Sequence, residues 1–448
     1  MGDVFAGLRA RIAELSPVSV IGRVAGLGQG TLAVTGMTET ARLGDRVSMG
    51  RGRVEGEVIA IDPAGATILP EAPPEGLAIG DAVRLIGPAR LAPHDGWIGR
   101  IIDPLGRPLD GRPLLPGAHP RALHAPPPPP ARRRRLGPRL ATGVAVFDTL
   151  LPLVRGQRLG LFSGSGVGKS SLLAQFARGV DADVVVLGLV GERGRELRAF
   201  TEEVLGSQGM ARAVVVAATS DQSPLLRRRC ALAAMAVAEH FRDGGRHVLL
   251  LVDSVTRFAE AHREVALAAG EGAAMRGWPA STAQAIMGLS ERAGPGAEDA
   301  GDITAVLTVL VAGSDMEEPV ADILRGVLDG HVVLDRAIAE RGRYPAVDLL
   351  RSVSRSLPAA ANVAENALIT RARQLLGAWD RAETMIQAGL YTRGSDPLVD
   401  EAMAVWPALD AFLAEAAPGG TEASFARLAD CLRQPWPPGD VPTPQPEA

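Results

Sequence analysis

The spacing of apolar positions changes along the chain, and each change marks a different kind of element. Val4, Phe5, Leu8, Ile12 and Leu15 recur at helical intervals among Arg9, Arg11 and Glu14, which predicts a short amphipathic helix within residues 1–17. Alone, a helix this short is marginal in water, so it packs either on its own domain or on a docking partner. From residue 18 to about residue 90 the pattern becomes short β-prone runs broken by glycines: Ser19–Val24, Thr31–Val34, Glu57–Ile61 and Asp81–Ile86. Regular short strands with turn residues between them predict a small β-barrel.

Residues 91–355 read as a second domain. Near-continuous apolar runs at Asp183–Val190, Ala213–Ala217, His247–Val252 and Ile303–Leu310 alternate there with helical segments. Strands of that kind are buried on both faces of a mostly parallel sheet, so the class is α/β. After Ser356 alanine- and leucine-rich helical segments take over at Asn362–Ala388 and Leu398–Glu415, making residues 356–448 a helical domain. Its proline-rich end from Pro435 is expected to fray. Between barrel and sheet, Pro126–Pro130 reads as a stiff polyproline II connector. The following Arg132–Arg135 reads as a solvated flank, with contact to an acidic lipid or protein as the lesser alternative.

Composition narrows the function. A net charge of -4 over 448 residues argues against nucleic acid as the main partner. The first hundred residues hold only Phe5 and Trp97 as aromatics, so the barrel lacks a base-stacking platform. Cys230 and Cys431 have no metal-site spacing, the seven histidines include no H-E-x-x-H, and no apolar run approaches the ~18 residues of a membrane span. With charges interrupting the N-terminal segment, no secretory signal is visible and a cytoplasmic location is expected.

The 47 basic residues include a single lysine, Lys169. It lies in the run Ser163, Gly164, Ser165, Gly166, Val167, Gly168, Lys169, Ser170, Ser171, between a strand-like Arg158–Phe162 and a helix-like Ser170–Arg178. This is a P-loop: small residues let backbone N–H groups close around phosphates, a compact ammonium reaches the β- and γ-phosphates, and the Ser170 hydroxyl holds Mg²⁺. The strict pattern has glycine where this chain has Ser163. Asp253, at the tip of an apolar strand, is the expected second Mg²⁺ partner in ATP binding. Glu192, at the end of another strand, can polarise a water for in-line attack; its alternative is an acidic residue favouring a helix N-terminus.

Gly191-Glu-Arg-Gly-Arg-Glu196, Asp253-Ser-Val-Thr-Arg-Phe258 and Tyr344-Pro-Ala-Val-Asp-Leu-Leu-Arg-Ser-Val-Ser-Arg355 together resemble the α/β subunit family of rotary ATP synthases. Gly156–Phe162 through the P-loop, Ser223–Arg229, Asp253–Glu271 and Leu390–Pro397 look most like its branch that powers flagellar protein export. The resemblance runs from about residue 18 to 415. It implies a catalytic role for Glu192, phosphate-ordering roles for Arg193 and Arg257, adenine packing by Tyr344, and an arginine finger at Arg355 serving a neighbouring subunit. Trp278, where tyrosine is commoner, is a local departure. It further implies a homohexamer peripheral to the inner face of the cytoplasmic membrane. The implied partners are an export regulator on the N-terminal helix, a coiled-coil stalk in the ring pore, and the export gate, substrates and chaperones. The ATPase of a virulence injectisome shares all these motifs. A hexameric RNA translocase is disfavoured by charge and missing aromatics, and a non-catalytic ring subunit by Glu192.

Overall fold

A computed structural model of the chain describes residues 6–13, 18–28, 30–50, 54–311 and 316–436. A helix spans Ala6–Ala13. A Cβ on Gly7 would lie 2.0 Å from the carbonyl oxygen of Pro116, so one side of the helix is seated on the chain's own loop, while Ile12 points to solvent. Val4, Phe5 and Leu15 lie outside the described residues.

Six strands, β1 (Ile21–Gly28), β2 (Thr31–Thr35), β3 (Asp45–Met49), β4 (Val54–Asp62), β5 (Gly65–Pro70) and β6 (Ala82–Pro88), close an antiparallel barrel in the order β1-β2-β5-β4-β3-β6. Alternate residues turn inward, and Val24, Leu32, Val34, Val47, Met49, Val58, Ile68 and Val83 fill the interior. The barrel is tied to the next domain by buried charge. Arg229 donates to Glu57 at 2.7 Å and also pairs with Glu71, and Arg228 pairs with Glu57.

The second domain is built on β7 (Arg100–Ile102), β8 (Arg158–Ser163), β9 (Val184–Glu192), β10 (Ala213–Thr219), β11 (Val248–Asp253), β12 (Gly294–Pro295), β13 (Asp302–Leu310), β14 (Gly330–Leu334) and β15 (Val347–Ser354). The sheet order is β15-β14-β8-β13-β11-β9-β10-β7, parallel except for β15 against β14 and for β12, which pairs with β13. The period of two in each strand sorts its residues between two cores. Val185, Leu187, Leu249 and Leu251 face the P-loop helix and the C-terminal helices. Val184, Val186, Leu250 and Val252 face the helix Pro224–Asp243.

Three helices follow, Val363–Gln387, Pro397–Phe412 and Gly420–Leu432. The first is opened by a capping box between Asn362 and Glu365, and the first two meet where Trp379 stacks on Trp406, centroids 4.9 Å apart.

The arginine run is not simply solvated. Arg133 pairs with Glu291 and donates to its carbonyl, and Arg134 pairs with Asp302 at 2.7 Å. Folding brings carboxylates some 160 residues downstream beneath the connector. The prolines before it end in a 3-10 turn, Pro130–Arg132.

Candidate active site

Parallel pairing gathers the carboxyl ends of β8, β9 and β11 along one edge. Ser163 lies opposite Leu310 of β13, Leu189 opposite Asp253, and Glu192 opposite Thr219 of β10. In an open α/β sheet ligands bind in the crevice outside these ends.

After β8 the chain turns through Gly166 and Gly168, at φ of +78° and +85°, into the helix Lys169–Gly179. Side chains rarely tolerate that left-handed conformation, so glycine frees the amides to face inward at a helix N-terminus. The resulting cavity, about 390 Å³, is lined by Gly164, Ser165, Gly166, Gly168, Lys169, Ser170, Ser171, Glu192, Arg193, Glu196, Arg257 and Leu310. Val167 is absent from that lining and buries its side chain. Ser163 is fully buried, and its hydroxyl has no partner among the described residues.

Lys169, which lines the cavity, pairs through Nζ with Oδ1 of the buried Asp253, which also accepts from the Thr308 hydroxyl at 2.7 Å. Burial, then the nearby Asp253 carboxylate, push Glu192 up to about 7 against the opposing pull of Lys169, and Glu196 adds to the rise. Arg257 donates to Glu260 at 2.8 Å and feels the charge of Glu192; Arg193 reaches Glu196 at 3.3 Å. Ser170 and Asp253 carry hard oxygen donors of the kind that would suit Mg²⁺.

Tyr344 lies against the P-loop: a Cβ on Gly168 would be 2.8 Å from its ring, and half of the residue remains exposed. Arg355 stands apart. It is exposed just past edge strand β15, donates to the carbonyl of Arg325 at 3.1 Å, and is absent from the lining of the cavity.

Two residues near this chemistry carry no role that the sequence assigns. Thr308 has a visible signal, a polar residue within the buried run of β13; Glu196 closes the Gly191–Glu196 run but looks like any exposed helix acid. The pairing of Lys169 with Asp253 yields one expected outcome. Lys169→Arg will lose phosphate release by about 10²-fold or more, because a planar fork cannot replace a point charge aimed between phosphates. Near-normal turnover would mean that any cation serves there.

Residues 143–354 match the ATP synthase alpha/beta family, nucleotide-binding domain, and residues 362–429 match the T3SS EscN ATPase C-terminal domain. The chain is 43% identical to the flagellum-specific ATP synthase of Caulobacter vibrioides over 95% of its own length and 99% of that protein. Among solved structures it is similar to the assembled ATPase EscN of the enteropathogenic E. coli type III secretion system, with a TM-score of 0.86, 35% identity, and coverage of 92% of this chain and 100% of that one. It also resembles EscN in complex with its central stalk EscO, with a TM-score of 0.83, the same identity and the same coverage of both chains.

Proposed function

The chain belongs to the ATP synthase alpha/beta family, and we propose that it hydrolyses ATP to energise flagellar type III protein export. The observation that carries the hydrolytic reading is Glu192, a carboxylate poised near neutral pH in the same cavity as the P-loop lysine. A group with that affinity for protons is ionised for part of the time at pH 7 and still basic enough to take a proton from water.

The residues divide the work as follows. Backbone N–H groups from Gly164 to Lys169 hold the phosphates, and Lys169 leaves Asp253 for the β- and γ-oxygens. Ser170 and Asp253 hold Mg²⁺, which supplies neutralisation of charge on the transferring phosphoryl group. Glu192 orients the attacking water and accepts its proton. Arg193 and Arg257, at the wall beside Glu192, order the phosphate. Tyr344 packs on the adenine, and Arg355 serves the cavity of the adjacent subunit.

That division requires an adjacent subunit, and the reading places it in a ring of six copies with a stalk protein in its pore; EscN was solved in complex with its central stalk EscO. A regulator on the N-terminal helix, the export gate, substrates and chaperones, and peripheral attachment to the inner face of the cytoplasmic membrane complete the reading. The injectisome alternative draws on the likeness to EscN; the higher identity to a flagellar relative favours the flagellum.

Deleting the gene tests this. The strain is expected to lose filaments and swimming on soft agar, and the purified chain to release phosphate from ATP only with Mg²⁺, stopping on chelation. A strain that swims normally yet fails to deliver effector proteins would move the chain to an injectisome. A purified ring with no turnover would remove the hydrolytic reading.

A further inference from the structure

The short loop after the helix Arg336–Glu340 runs from Arg341 to β15 and touches three parts of the molecule. Tyr344 lies on the P-loop at Gly168. Arg341 reaches Glu383 of the first C-terminal helix at 3.3 Å. Between them Arg343 turns inward: its side chain is 10% exposed, its Nε lies 3.1 Å from Asp410 near the end of the second C-terminal helix, and its Nη2 donates to the Val347 carbonyl at 2.9 Å. Its Nη1 is buried with no partner among the described residues. The guanidinium borders a cavity of about 200 Å³ that Trp379 and Trp406 also line.

Burying a guanidinium is expensive, and a partly satisfied one costs more than an apolar side chain of similar volume would. Holding a loop in place does not require it. The ion pair does give directional attachment: it fixes the residue preceding Tyr344 to a helix that shares a core with its partner helix through Trp379 and Trp406. We infer that Arg343 is a positioning residue, tying Tyr344 and hence the adenine base to the C-terminal helix pair. The inference rests on the reading of Tyr344 as the residue that packs on the base. It makes base binding depend on the placement of the C-terminal helices.

The test separates the base from the phosphates. Affinities for ATP and for inorganic tripolyphosphate are measured by competition on the full chain, for Arg343→Met, Arg343→Lys, Asp410→Asn and Tyr344→Ala. Tyr344→Ala should weaken ATP by about five- to hundredfold, the range for loss of an aromatic stacked on a base, and leave tripolyphosphate unchanged. Arg343→Met and Asp410→Asn should weaken ATP by about three- to tenfold with tripolyphosphate within about twofold, and Arg343→Lys should recover part of the loss. If Tyr344→Ala weakens ATP and neither Arg343→Met nor Asp410→Asn does, the coupling through Arg343 is overturned while base packing stands. If Tyr344→Ala has no effect on ATP, base packing itself falls and the inference with it. Equal loss of both ligands on changing Arg343 would make it a fold-maintaining residue. Should Arg343→Met fail to fold, Asp410→Asn, which alters charge and keeps shape, decides the matter.

Discussion

Glu192→Gln will bind ATP as the parent chain does and lose turnover by about 10²- to 10⁴-fold, the usual contribution of a positioned general base. Gln keeps the shape and hydrogen-bonding reach of the side chain but cannot accept the water's proton. The environment also sets a pH signature. With Glu192 held near 7 by burial and by Asp253, kcat/KM of the parent should fall about tenfold per pH unit below that value. The variant should lack this limb. Stability should move the other way. The folded chain binds this proton more tightly than the unfolded chain, so Glu192 costs stability progressively as pH rises from the ordinary carboxylate range through about 7. Glu192→Gln should therefore melt higher than the parent at pH 8 and close to it near pH 4. A variant that loses ATP binding along with turnover would make Glu192 structural.

Arg355→Ala will be nearly inactive alone, by about 10³- to 10⁵-fold, yet will regain activity when mixed with Glu192→Gln. The prediction follows from where the side chain lies. Arg355 is exposed beyond an edge strand and does not line its own chain's cavity. In a mixed ring an Arg355→Ala subunit retains Glu192 and can receive the guanidinium of a Glu192→Gln neighbour, completing a site from two inactive proteins. Phosphate release by mixed rings measures the recovery. Mixed rings that form and stay inactive would place Arg355 outside the neighbour's site.

What could be read from the chain alone was what local backbone chemistry dictates. The P-loop needs glycines at φ values other residues resist, and it lies where the small residues and the single lysine announce it. Buried parallel strands have to be apolar throughout, so β9, β10, β11 and β13 were legible to within a few residues. Asp45–Met49 and Gly65–Pro70 were not, because two or three apolar residues after a charged or glycine start are too few to establish a period. β15 escaped for another reason: its pairing skips between Val353 and Asp348, and the bulge breaks its alternation, while β14 offers only five residues.

Tertiary structure decided what each side chain faces. Lys169 meets Asp253 across 84 residues, Thr308 shares that carboxylate, and Arg134 finds Asp302 across 168. The proton affinity of Glu192 arises from burial and a carboxylate on a neighbouring strand, and Arg343 finds Asp410 only once the C-terminal helices fold back. Sequence periodicity determines which face of an element a residue occupies, because that is a property of local dihedral angles. The order in which strands and helices assemble determines what lies opposite, and electrostatic interaction depends on that distance through space.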